Sequence, residues 1–297
     1  MKKPITVKIL VTVNNMSQFR ASTLCFESLR VGWPTADIHV YVNGGEHFQA
    51  TMSRIITISQ ARKDGRHCTE YGPEFTVHGV VPDDGTDKIH HADWIREQIN
   101  EKYPGPLVIA DPDIVYWKSC EDWEFLPDTL LAGYWHPRMW NDFAQCVSVQ
   151  RIHTSMMVFP NPQHLRDAIM GIYAPAWMKH GEYCPCDPFM PAVRFDDSIP
   201  TFWDTCANLY NMLLSIKGEI RQWPAIEHFG SRQLSCYDHL NSASFYDVMV
   251  ERLDEETSQG FVIAHREWVK NPTPGLWPLV DEYYKQKAIE GQVYENH

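Results

Sequence analysis

The sequence predicts an α/β fold: one mixed sheet flanked by helices, with a helical tail at the C-terminal end. Three observations predict it. Strand-like stretches in the first half are near-continuous in apolar, β-branched residues, the pattern of strands covered on both faces. Helix-like stretches alternate with them, which implies parallel strands joined by right-handed crossovers. With 44% hydrophobic composition over 297 residues, the chain can bury one large core at the upper edge of what a single domain holds.

The elements follow in order. ITVKILVTV (5–13) is the first strand, and Ser17 is placed to cap a helix carrying Phe19, Leu24, Phe26 and Leu29 at helical spacing. DIHVYVNGG (37–45) is a second strand stopped by Gly44 and Gly45, and RIITISQ (54–60) a third. Residues 61–87 are polar and aperiodic, so they read as an insertion or loop. KIHHADWIREQINEKY (88–103) is a helix ended by Pro104-Gly105-Pro106, followed directly by a strand at 107–111. TLLAGYWHP (129–137) and CVSVQRIHTSMMVFP (146–160) are strands, and the helix after them has Asn161 as N-cap and Pro162 in its first position. A loop at 174–195 leads to a helix over 201–218, terminated by Gly218. A strand at 221–229 then reaches His228, and residues 241–297 form a helical extension on the same domain.

Twelve net negative charges and a pI near 5.6 argue against broad binding to nucleic acid or anionic membrane. MKKPITVKILVTVNN has a basic start and an apolar run, but Lys8 interrupts the run, Asn14 and Asn15 end it, and no small-residue cleavage site follows. A first strand is the better reading than a secretion signal. No segment approaches the ~18 consecutive apolar residues of a membrane span. A cytoplasmic location is expected, with the eight cysteines reduced. His67-Cys68 and Cys184-Pro-Cys186 carry zinc-ligand types, yet neither half has the usual two-residue gap, so ordinary loop cysteines are the better reading.

The stretch with chemistry in it is LVIADPDIVYW (107–117), a buried-looking strand that stops on Asp111 and Asp113. In open α/β sheets the ligand crevice lies beyond the carboxyl ends of the strands. If the chain stays extended, two carboxylates two residues apart point to one side, where they repel each other and resist desolvation. A hard divalent cation, Mg²⁺ or Mn²⁺, resolves both problems.

Asp-x-Asp after such a strand, behind a nucleotide-type βαβ half and a helix beginning His-His-Ala, resembles the nucleotide-sugar-dependent glycosyltransferases of the GT-A fold over residues 5 to 232. The resemblance implies an α/β, GT-A type fold with a single Rossmann-like mixed sheet. It implies a catalytic domain over 1–240, whose first half (1–113) binds the nucleotide sugar and whose second (114–240) binds the acceptor. It further implies Mn²⁺ or Mg²⁺ on Asp111 and Asp113, a nucleoside-diphosphate sugar as donor, most readily a UDP-sugar, and an acceptor among glycans, small molecules and hydroxylated DNA bases. IEHFGSR is similar to the late His-Phe motif of glycogenin-like retaining members and makes His228 a third metal ligand. That motif usually continues to lysine and Pro-Trp, whereas Gly230-Ser231-Arg232-Gln233 follows here, so the phosphate-neutralising role falls to Arg232 or to no residue.

HTSMMVFPN resembles the family's strand of form Asn-Ser-Gly-hydrophobic, followed by a helix, and makes Thr154 and Ser155 sugar or acceptor contacts, although the family's glycine is missing. WDTCANLYNML puts Asp204 at the reaction centre, as base in an inverting reaction or as a grip on the donor sugar in a retaining one, with Asp197 as a competing base. Thr12, Asn14 and Asn15 after the first strand match the nucleobase and ribose site, and His91, with His90 before it, a nucleotide contact. Among eleven tryptophans, Trp135, Trp140 and Trp203 suit stacking on sugar rings. The rival enzyme class, nucleotidyltransferases that make sugar nucleotides, needs an early Gly-rich loop, and residues 11–20 contain no glycine. A non-catalytic carbohydrate-binding protein of the same fold is the other alternative.

Overall fold

The structure is a computed structural model that describes residues 3–12, 22, 25–26, 28–44, 49–53, 55–56, 75–80, 89–116, 118–123, 125, 128–141, 146–173, 187–196, 199–203, 205–223 and 236–239. Its centre is a seven-stranded sheet in the order β12-β6-β9-β4-β1-β2-β3. These are β1 (Thr6–Val11), β2 (Asp37–Asn43), β3 (Thr76–Val80), β4 (Leu107–Ala110), β6 (Thr129–His136), β9 (Arg151–Phe159) and β12 (Glu219–Gln222). β1, β2, β3 and β4 run parallel, β12 runs parallel to β6, and β9 is antiparallel to both β4 and β6. Only β9 is therefore reversed, and the carboxyl ends of the other six open on one edge.

The continuous apolar pattern of β1 has the expected cause, since every residue of the strand is buried. Each fully buried Val, Ile or Leu side chain contributes about 1.5–3 kcal/mol. One face of the sheet packs Val7, Ile9, Val108 and Val158 against Phe26 and Leu29, from a helical segment including 25–26 and 28–32, and against Trp33 just after it. The other face packs Leu107, Ile109, Met157 and Phe159 against α1 (His91–Asn100), α2 (Pro162–Tyr173) and α3 (Ala207–Ser215). Lys8 is the exception inside β1. Its amine is buried and satisfied by Gln98 at 2.6 Å and Glu101 at 2.7 Å, between the rings of Tyr41 and Tyr103.

A smaller sheet, β10-β11-β8-β7, sits beside the first, from β7 (Met139–Asn141), β8 (Cys146–Ser148), β10 (Ala192–Asp196) and β11 (Ile199–Trp203). A third pairing joins β5 (Ile114–Tyr116) to β13 (Tyr237–His239).

The α/β class and a central mixed sheet flanked by helices are as the sequence predicts, but the strands divide among three sheets where a single one was expected. Four elements differ. RIITISQ is not the third strand: residues 55–56 are helical, and the third parallel strand is Thr76–Val80, inside the stretch expected to be a loop. The 146–160 run breaks at 149–150 into β8 and β9, which serve different sheets. Residues 201–203 continue a strand, and the helix begins only at Ala207, behind Cys206 in the left-handed region (φ 64). Residues 192–196, expected as loop, pair as β10. The Ser17 cap, most of the 221–229 strand and the 241–297 extension lie outside the described residues. The Asn161 cap is present, its side-chain oxygen accepting from the His164 N–H at 3.2 Å.

Candidate active site

Asp111 follows β4 directly, at the open edge of the sheet, and its position is fixed from three sides. Its backbone N–H donates to Ser155 O at 2.9 Å, continuing the β4–β9 register by one step. The Thr154 hydroxyl donates to Asp111 Oδ2 at 3.3 Å. His91, the first residue of α1, brings Nε2 to 3.9 Å from Asp111 Oδ1 while its ring stacks on Trp94. The chain then bends through 112 and 113 instead of staying extended, so the alternation expected of a strand does not govern where Asp113 points. Asp113 is only 1% exposed, whereas the Asp111 side chain keeps 15% of its surface.

Around this pair the sheet edge is tightly tied. Asn43, at the end of β2, donates to Thr12 Oγ1 at 3.0 Å and to Ile89 O at 2.8 Å, and its oxygen accepts from the Ile89 N–H at 2.8 Å. One amide thus joins the ends of β1 and β2 to the start of α1. His90 caps that helix, Nδ1 accepting from the Ala92 N–H at 3.2 Å. Beneath Asp111, the Cys25 thiol lies 4.0 Å from the Asp111 carbonyl. Burial pushes that thiol far above its ordinary value, a backbone contact at Ile114 opposes, and the charges of Asp113 and Asp111 add to the rise. Ser155 is turned inward, its hydroxyl 3.3 Å from that of Tyr237, whose own titration burial drives far upward.

In the smaller sheet, Arg194 lies over the Trp203 ring at 4.2 Å, and the Trp203 N–H donates to Thr201 Oγ1 at 3.3 Å. Trp135, 43% exposed, leans on Tyr210. The side chain of Trp140 lies outside the described residues. So do Asn14, Asn15, Asp197, Asp204, His228 and Arg232, and the His67-Cys68 and Cys184/Cys186 pairs.

Of the expected site residues that are described, Thr12, His91, Asp111, Asp113, Thr154 and Ser155 come to one edge of the sheet. Among the described residues no three His, Cys, Asp or Glu side chains gather as a complete metal-binding group. The two neighbouring carboxylates, one nearly fully buried, are the hard oxygen donors that Mg²⁺ or Mn²⁺ takes, so this part of the donor set fits the ion.

Sequence reasoning missed Asn43 and Tyr237. Asn43 had a signal in the Asn-Gly-Gly that ends β2; Tyr237 is an ordinary strand residue with none.

No protein-family model matches the chain, and no curated protein matches it. Among solved structures it is similar to the apo form of the glycosyltransferase GlyE of Streptococcus pneumoniae TIGR4, at 11% identity over 73% of this chain and 44% of that one, with a TM-score of 0.41. A second GlyE structure aligns at 12% identity over 57% and 37% of the two chains, with a TM-score of 0.34. The apo bifunctional glycosyltransferase WbbM aligns at 10% identity over 56% and 33%, with a TM-score of 0.34. The chain spans less than half the length of each of these proteins. Likeness at this level speaks to neither substrate nor mechanism.

Among the described residues, no helix is long and apolar enough to cross a membrane.

Proposed function

We propose that the chain is a metal-dependent glycosyltransferase that moves a sugar, hexosyl or pentosyl, from a nucleoside-diphosphate sugar to an acceptor hydroxyl. What supports this reading above all is a pair of carboxylates, Asp111 and Asp113, at the carboxyl end of the central strand β4, with Thr154 and His91 around Asp111. Mg²⁺ or Mn²⁺ would be held by Asp111 and Asp113, with His228 as third ligand, and when bound supplies Lewis-acid stabilisation to the departing diphosphate. Thr154 and His91 hold Asp111 in place for that task. Thr12, with Asn14 and Asn15 after it, takes the nucleobase and ribose, UDP being the favoured carrier, and Arg232 neutralises phosphate charge.

Asp204 grips the donor sugar if configuration is retained, the outcome the His-Phe motif favours, or takes the acceptor proton if it is inverted, with Asp197 as the alternative base. Expected surroundings are cytoplasmic. The test is a thermal-shift screen of UDP- and GDP-sugars with Mn²⁺, wild type against Asp113→Ala. A nucleotide sugar should raise the wild-type Tm and leave the variant unmoved. Equal responses, or none from any sugar nucleotide, overturn the reading.

A further inference from the structure

We propose that Cys120 and Cys236 are a modification site: a dithiol that closes to a disulfide by exchange with a low-molecular-weight disulfide, and so staples β13 to the segment that follows β5. The inference goes beyond the glycosyl-transfer reading and does not depend on it. β13 pairs antiparallel with β5 over three residues, Tyr237 opposite Tyr116, and one step further the Cys236 carbonyl accepts from the Lys118 N–H at 3.5 Å. Two residues on, the Cys120 N–H donates to the Gly32 carbonyl at 2.7 Å, and the Cys120 thiol lies 3.9 Å from the Lys118 carbonyl. The Lys118 backbone thus touches both cysteines, and the two thiols are hydrogen-bonded to each other. Both are free thiols, buried in one core cluster with Tyr116 and Tyr237.

A packed, protonated thiol is a poor nucleophile. Burial above all, and then the hydrogen bond with Cys236, hold the Cys120 thiol well above its ordinary value. Exchange therefore starts when β13 lifts away from β5, and a two-stranded pairing of three residues is a ladder weak enough to open locally. One cysteine thiolate then attacks the small disulfide, forming a mixed disulfide and releasing one small thiolate, and the second cysteine thiolate displaces the other. The protein loses two electrons, the small disulfide gains them, and the two cysteine protons leave on the two small thiols. What the staple holds lies directly behind the candidate site. β5 starts at Ile114, the residue after Asp113, and the Tyr237 hydroxyl is 3.3 Å from that of Ser155, whose carbonyl accepts the Asp111 N–H.

The test uses the full chain, incubated without denaturant in oxidised glutathione, then alkylated, proteolysed and mapped by mass spectrometry. The expected product is a peptide pair linked through Cys120 and Cys236, which dithiothreitol reopens. Because the link closes a long loop of chain, Tm should rise by at least about 5 °C and return on reduction. Amide exchange at 114–116 and 237–239 should slow by at least about tenfold in the linked form. Cys120→Ser and Cys236→Ser should each abolish the rise in Tm; where a variant fails to fold, the wild-type map and amide exchange decide. Cys120 and Cys236 left unlinked, a link that forms only in urea, pairing of either with another cysteine, or unchanged amide exchange in the linked form overturns the proposal. Metal and nucleotide sugar are omitted throughout, so this outcome is independent of the sugar-nucleotide screen.

Discussion

Thr154 and Asp111 are joined across 3.3 Å, the hydroxyl of one donating to Oδ2 of the other, while the backbone one residue along β9 accepts the Asp111 N–H. Strand β9 therefore grips this carboxylate by its side chain and by its main chain. Thr154→Val keeps the β-branched shape a strand favours and removes only the side-chain grip. Stability should change by less than about 1 kcal/mol, and the Mn²⁺ concentration needed for half-maximal activity should rise roughly tenfold. Paired urea denaturation and metal titration check it.

Gly133→Ala should be strongly destabilising. A Cβ there would stand 2.5 Å from Ile152 Cγ2 and 2.6 Å from the Met156 carbonyl oxygen, at the register shift between β6 and β9. Backbone cannot withdraw as a flexible side chain can, so a loss of about 2–4 kcal/mol is expected in urea denaturation, with any sugar-transfer activity reduced in step with folded protein.

Lys217→Gly should act in the opposite direction. Lys217 is exposed and sits in the left-handed region (φ 56) just after α3, where the Gly218 N–H closes on Leu213 O at 2.8 Å. Relief of a side chain held in that conformation should outweigh the added freedom of the unfolded chain and stabilise by about 0.5–1 kcal/mol, read as a raised Tm.

Arg96 and Asp187 form a buried ion pair that fastens α1 to the turn before β10; the same Asp187 accepts from the backbone N–H groups of Phe189 and Met190, and its carbonyl accepts from Asn208. Asp187→Ala takes from the guanidinium its buried partner, leaving it only Asp93 on the same helix at 2.5 Å, and should cost about 2–4 kcal/mol, whereas the double change Arg96→Met, Asp187→Leu should recover a good part of it. A double-mutant cycle by chemical denaturation measures the difference.

Stability should fall as pH drops from 7 towards 5, in part because of His78. Burial holds this imidazole below its ordinary 6.5, His39 and Lys8 add to the depression, and Glu101 opposes it. His39 faces it at 3.0 Å with Asp37 on the far side of that ring, and Tyr41 stacks on it at 4.5 Å. A base with a depressed folded-state value is neutral in both states above 6.5. Below that pH the unfolded chain binds the proton first, so stability is lost as pH falls. His78→Gln should flatten the Tm profile across this window, and an unchanged slope would assign the pH dependence to other groups.

Much of the fold was legible because β1, β4 and the first five residues of β6 are buried on both faces, while β2 alternates buried Ile38, Val40 and Val42 with partly exposed residues, and both patterns read as strand. The third strand was not, for two linked reasons. Thr76–Val80 is a short edge strand carrying Gly79 and His78, while Ile55 and Ile56, β-branched and strand-like by propensity, are helical because the tertiary context overrides that preference. The start of α3 was misplaced because nothing in a cysteine announces φ 64 at Cys206. In the site, Asp111 and Asp113 stood out because charges rarely end a buried strand without cause. Tyr237 was silent, since a single tyrosine in a strand has no spacing to betray it, and only three-dimensional proximity brings it to Ser155.

The reversal of β9 has a consequence for how such a protein diversifies. A strand running against its neighbours begins where they end, so the chain reaches the crevice through the β7–β8 segment and departs from it through nine residues locked into β4 and β6. Insertions or exchanges between 137 and 150 would reshape what the crevice admits while the register that positions Asp111 stays untouched. That stretch is where a swapped loop should alter the crevice without disturbing the β4–β9 and β6–β9 registers.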